Sequence, residues 1–98
     1  SKTEELAAPQ SLQQDKTFQE AKLLVTEGKD YLKKANSFNE SKDEDNAQIN
    51  FKEALKSFKL AIKKIDTISK SFPGDQQLEA LNADAQGMEF FLVKSCIK

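Results

Sequence analysis

Apolar residues recur at helical spacing in three stretches of this chain, separated by polar or Pro-Gly breaks. From Phe18 to Phe38, at about 100° per residue, Ala21, Leu24, Val25, Gly28, Tyr31, Leu32 and Ala35 share one face. Lys22, Thr26, Lys29, Asp30 and Lys33 lie opposite, and Leu23 falls off the apolar face. The next segment, Asn39 to Asn46, has no apolar residue and many turn formers, which predicts a mobile acidic loop at about 39–47. A second helix is expected from Ala47 or Asn50 to Ser71, with Phe51, Leu55, Phe58, Ile62, Ile65 and Phe72 as its core seam and Ala54, Ala61 and Ile68 widening it. Pro73-Gly74 ends that helix, and Asp75 suits the N-cap of a third, running from about Gln76 to Ile97.

The third helix carries two apolar stripes. Leu78, Leu81, Ala85, Met88, Leu92 and Cys96 form one; Ala83, Gly87, Phe90, Val93 and Ile97 form the other. One stripe can cover the first two helices, which leaves the other as a contact surface. The Leu78, Leu81, Met88 and Leu92 side is expected to meet a second copy of the chain or receive a partner helix, because Met suits an adaptable groove. The fold class expected is all-α, a three-helix antiparallel array in one domain (17–98) behind a flexible polar leader (1–16) that holds Pro9 and several Gln.

Composition narrows the chemistry. The 15 basic and 16 acidic residues nearly cancel, giving a net charge of -1, so nothing draws the whole chain to nucleic acid. Every basic residue is Lys, which removes the bidentate contacts that Arg makes to phosphate and guanine. The absence of His excludes imidazole acid–base work and His–metal ligation, and leaves Ser95 and Cys96 with no imidazole to activate them. Glu27 and Asp30 lie on the polar face of the first helix with nothing to desolvate them. The expectation is therefore a non-catalytic protein with no cofactor. Cys96 is the single cysteine, so an intrachain disulfide is excluded; among Phe90, Phe91, Leu92, Val93 and Ile97 it reads as a small buried hydrophobe. No apolar run approaches the roughly 18–20 residues that span a bilayer. The sequence opens on Ser1 without Met, as a processed chain or a trimmed piece would; processing points to an exported or lipoprotein-derived mature chain.

The pattern Gly28-x-x-Tyr31 returns as Gly87-x-x-Phe90, with Phe51-x-x-Ala54-x-x-x-Phe58-x-x-Ala61 between them. This combination, over about residues 20–97, resembles the tetratricopeptide repeat. Ala21, Leu24, Gly28, Tyr31 and Ala35 match its first helix, with Glu27 where the family has Leu; the Phe51 to Ala61 run matches its second, with Asp66 in place of the closing Pro. Ala35 and Phe51 stand sixteen positions apart where the family has two, an insertion of fourteen residues. Ala80, Gly87 and Phe90 resemble the first helix of a following repeat or a capping helix. A microtubule-interacting-and-trafficking domain is similar over the same span, through its aromatic-x-x-Ala-x-x-x-aromatic second helix. The first resemblance implies a protein- or peptide-binding adaptor, the second a membrane-surface or trafficking adaptor.

Lys52, Lys56, Lys59, Lys63 and Lys70 project within about 60° of one another on the second helix. Such a stripe is either a solvated face or a surface for a carboxylate-rich peptide or an anionic membrane. Asp43, Glu44 and Asp45 supply oxygen ligands, but the segment lacks the Gly turn and distal Glu of a calcium-binding hand and reads as a solvated loop. The function expected is a non-catalytic protein-interaction module, self-associating through the third helix, with a peripheral membrane adaptor as the alternative.

Overall fold

Each helix starts at an aspartate. In the computed structural model, which describes residues 11–98, Asp15, Asp43 and Asp75 cap α1 (Lys16–Glu40), α2 (Glu44–Ser69) and α3 (Gln76–Phe91). Each side chain accepts the N–H three residues on, from Phe18 at 2.9 Å, Asn46 at 3.1 Å and Leu78 at 3.0 Å, satisfying a donor that the helix leaves unpaired. The three helices form an antiparallel all-α array, with no strand among the described residues.

The acidic segment is not a loop. α1 continues to Glu40 and α2 begins at Glu44, so the connection is only Ser41, Lys42 and Asp43. The N–H of Asp43 donates to the Phe38 carbonyl (2.8 Å) and that of Lys42 to Asn39 (2.9 Å), a pair of bonds that closes a helix end around a left-handed residue, here Lys42 at φ 62°. Asp43 then caps the next helix, while Glu44 and Asp45 sit in its first turn, where the positive end of the helix dipole favours them. The same residues that read as turn formers thus serve as a helix end and a helix start. Between Ala35 and Phe51, all residues but Ser41, Lys42 and Asp43 belong to the two helices.

Part of the expected leader is structured. Positions 1–10 lie outside the described residues, but Leu12–Gln14 form a 3-10 turn and Leu12 is buried with Phe18, Ala21, Ile65, Ile68 and Leu78. Gln13 donates from its side-chain amide to that of Gln77, tying this turn to the start of α3.

Small residues set how closely the helices approach. Ala21, Ala35, Ala47, Ala54, Ala61 and Ala85 are all 0 % exposed. At Gly28 the ring of Phe58, also fully buried, comes so close that an added Cβ would lie 2.7 Å from Phe58 Cζ. The buried seam of α2 is therefore Phe51, Ala54, Phe58, Ala61, Ile65 and Ile68; Leu55, Ile62 and Phe72, expected at its centre, are half-buried at its margin. Leu81 touches both halves of the core and joins them.

On α3 the inward stripe is Leu78, Ala85 and Leu92, all buried, with Leu81 and Met88 half-buried beside them. This overturns the assignment of Leu78, Leu81, Met88 and Leu92 to an intermolecular interface: they are the stripe that covers α1 and α2, because α3 needs its widest run of Leu and Met to close the core. Ion pairs Lys64–Glu20 (3.1 Å) and Lys29–Asp84 (2.7 Å) tie α1 to α2 and to α3. Both are part-exposed, worth about 0–1 kcal/mol each, and orient more than they stabilise. No helix among the described residues is long and apolar enough to cross a membrane.

Gly28 and Lys42 make opposite predictions. Gly28→Ala gains about 0.5–1 kcal/mol of helix propensity but drives Cβ into a buried ring, an overpacking cost of about 1–3 kcal/mol. Lys42→Gly relieves a left-handed Lys and should stabilise by about 0.5–1 kcal/mol. Thermal unfolding should show Gly28→Ala melting below and Lys42→Gly above the parent, by about 4–8 °C per kcal/mol.

Candidate functional site

A groove of about 720 Å³ runs between α2 and α3 near their connecting turn. Its apolar floor is Ile62, Ile65, Phe72 and Leu78; Lys56, Lys59, Leu60, Lys63 and Asp66 line it from α2, Glu79, Asn82 and Gln86 from α3, and Asp75 at the turn between them. At its end the chain turns at Gly74 (φ 75°), a left-handed conformation that suits Gly. Within that floor Ile65 and Leu78 are buried and Ile62 and Phe72 half-buried.

The five lysines of the stripe are all exposed. They lie on the back of α2, about 150° round from the buried seam at 100° per residue and not beside it. Lys56, Lys59 and Lys63 line the groove, and Lys52 and Lys70 fall outside its lining. Three of the stripe's members are thus brought together with apolar surface. Glu27 and Asp30, by contrast, are exposed on α1, in a smaller depression between α1 and α2.

Two members of the acidic triplet are engaged. Both carboxylate oxygens of Asp43 accept from Asn46, one from its backbone N–H (3.1 Å) and one from its side-chain amide (2.7 Å). These bonds, the side-chain one foremost, hold its carboxyl below the ordinary range. Glu44 lies 3.7 Å from Lys98 Nζ, with both side chains largely exposed.

Beyond Phe91 the last helix widens into a π-helical turn, Leu92–Cys96, closed by Ile97 N–H donating to the Leu92 carbonyl at 2.9 Å. Gln48 of α2 grips this turn from both ends of its amide: Nε2 donates to the Cys96 carbonyl (2.8 Å) and Oε1 accepts from Lys98 N–H (3.0 Å). Cys96 packs half-buried against the core, and burial pushes its thiol pKa up.

No family model, curated protein or solved structure matches this chain. What the site does is therefore argued from its own residues.

Sequence reasoning missed Leu12 and Gln48. Leu12 carried a signal, one apolar residue two positions before Gln14-Asp15 and six before Phe18, which placed it one turn ahead of a capped helix. Gln48 carried none, since its role depends on where the C-terminal turn comes to rest.

The thiol supplies the prediction. Alkylation of Cys96 should proceed slowly at neutral pH, with a pH profile displaced upward from that of a free thiol, because the reactive thiolate is disfavoured by burial. Gln48→Ala should release the turn and speed the reaction several-fold, as measured by mass spectrometry.

Proposed function

We propose that this chain is a non-catalytic helical module, tetratricopeptide-like in its hairpin, that binds an acidic amphipathic segment of a partner protein in the groove between α2 and α3. The observation that carries the reading is the convergence of Lys56, Lys59 and Lys63 on an apolar floor. A solvated charged face needs no apolar groove beside it; an acidic helix with one apolar side uses both. The floor would take its apolar side chains and the lysines its carboxylates. Asp66, Asp75 and Glu79 also line the groove, which favours a partner whose negative charge is concentrated opposite Lys56, Lys59 and Lys63. Tetratricopeptide-like character is supported by Gly28 and Phe58 in contact and by Ala54 and Ala61 at the hairpin interface.

A synthetic helical peptide with Leu on one face and Glu on its flank serves as the probe, read by fluorescence anisotropy. Binding should weaken steeply with added salt, since the charges are exposed, and Lys56→Glu with Lys59→Glu should lower affinity about tenfold or more. Unchanged binding of the double variant rules the groove out. Anionic vesicles form the second arm: salt-sensitive vesicle binding without peptide binding would favour a membrane-surface adaptor instead.

A further inference from the structure

Three large apolar side chains stand exposed on the C-terminal half of α3 and the turn after it, Phe90 at 65 %, Val93 at 57 % and Phe91 at 48 %, whereas Leu23, Ile49 and Leu60 stand singly on α1 and α2. The outward face that carries Phe90 continues toward the N-terminus as Ala80, Ala83 and Gly87, all exposed, and an added Cβ at Gly87 would meet nothing within 4 Å. One half of the face is therefore bulky and the other hollow.

We infer that α3 pairs with α3 of a second copy of this chain, antiparallel and crossing near Gly87, with each Phe90 seated in the hollow between Ala80, Ala83 and Gly87 of the other copy. Residues three and seven positions apart on a helix bound the kind of hole into which a facing side chain fits. A two-fold axis is what brings the bulky half of one helix onto the hollow half of its copy. A parallel arrangement would set Phe on Phe and leave both hollows empty.

Charge agrees with this register. Glu79 lies exposed near the start of this face and Lys94 near its end, with Lys94 Nζ 5.4 Å from the centroid of the Phe90 ring. Seating Phe90 opposite the hollow places the axis near Gly87, and that placement sets Lys94 opposite Glu79 of the other copy, twice over. Antiparallel helices also oppose their dipoles. The complements of Phe90 and of Lys94 are both found on the face itself, which is the reason to assign it a second copy. One helix pair buries less than the roughly 800 Å² per partner of a standard interface, so the dimer is weak. Glu79 also lines the lysine-lined groove but Phe90 and Lys94 do not, so Phe90→Asp and Lys94→Glu test this inference apart from the proposed peptide binding.

Sedimentation equilibrium of the full chain from about 10 μM to 1 mM tests it. A monomer–dimer equilibrium is expected. Phe90→Asp should raise its dissociation constant about tenfold or more while leaving the helical circular dichroism unchanged, since Phe90 already faces water. Glu79→Lys and Lys94→Glu should each weaken self-association, and an equimolar mixture of the two should recover a heterodimer, because each then meets its opposite charge. A strict monomer, a Phe90→Asp variant that dimerises like the parent, or a mixture no more associated than its separate components would each overturn the proposal.

Discussion

The contact of the Phe58 ring with the backbone at Gly28 sets the geometry of the whole array. With no Cβ at Gly28, a fully buried ring can rest directly on α1, and the alanines above and below it let the two longest helices lie close along their length. A single larger residue at position 28 would hold the helices apart and open voids at each alanine, which the packed interior does not tolerate. Once α2 is locked at this distance and rotation, its lysines are forced onto the opposite surface. Its flanks, at Leu55 and Ile62, are left half-covered, and α3 closes against that side. Both the groove and the outward face of α3 follow from where the Phe58 ring sits.

The three helices were legible because their apolar residues repeat at one period over long stretches, and because Pro73-Gly74-Asp75 combines a helix stop with a helix start. The Asn39–Asn46 segment was misread for a physical reason. Asp, Asn and Ser are loop formers in general, yet Asp at an N-cap and acidic residues in a first turn are what a helix start requires, and composition alone does not separate the two. A loop and a pair of abutting helix ends differ in backbone hydrogen bonds, here those of Lys42 and Asp43.

The candidate site was legible in part. The lysine stripe is a property of one helix and can be read from its spacing; the groove that adopts three of its members is a property of two helices and a turn, and cannot. The faces of α3 show the same limit more sharply. Both stripes were visible, and each contains enough apolar surface to serve as a core, so periodicity could not rank them. What ranks them is fit: Leu78, Leu81, Met88 and Leu92 fill the space that α1 and α2 leave, whereas Phe90 beside Gly87 presents a surface too uneven to lie on them. Gln48 reinforces this choice by holding the final turn so that Leu92 and Cys96 face inward.

The repeated Gly-x-x-aromatic pattern gains a meaning from its two environments. At Gly28-x-x-Tyr31 the glycine is covered by a ring from the neighbouring helix, and the aromatic packs half-buried against the same core. At Gly87-x-x-Phe90 the glycine is open and the aromatic stands in water. The pattern is therefore not a signature of burial. It marks a place on a helix where another helix can come close, with the glycine allowing the approach and the aromatic three residues on supplying apolar area at its edge. In α1 the chain itself provides the incoming helix. In α3 the chain leaves the place open, and keeping so large an apolar side chain in water beside it is unfavourable unless something comes to cover it.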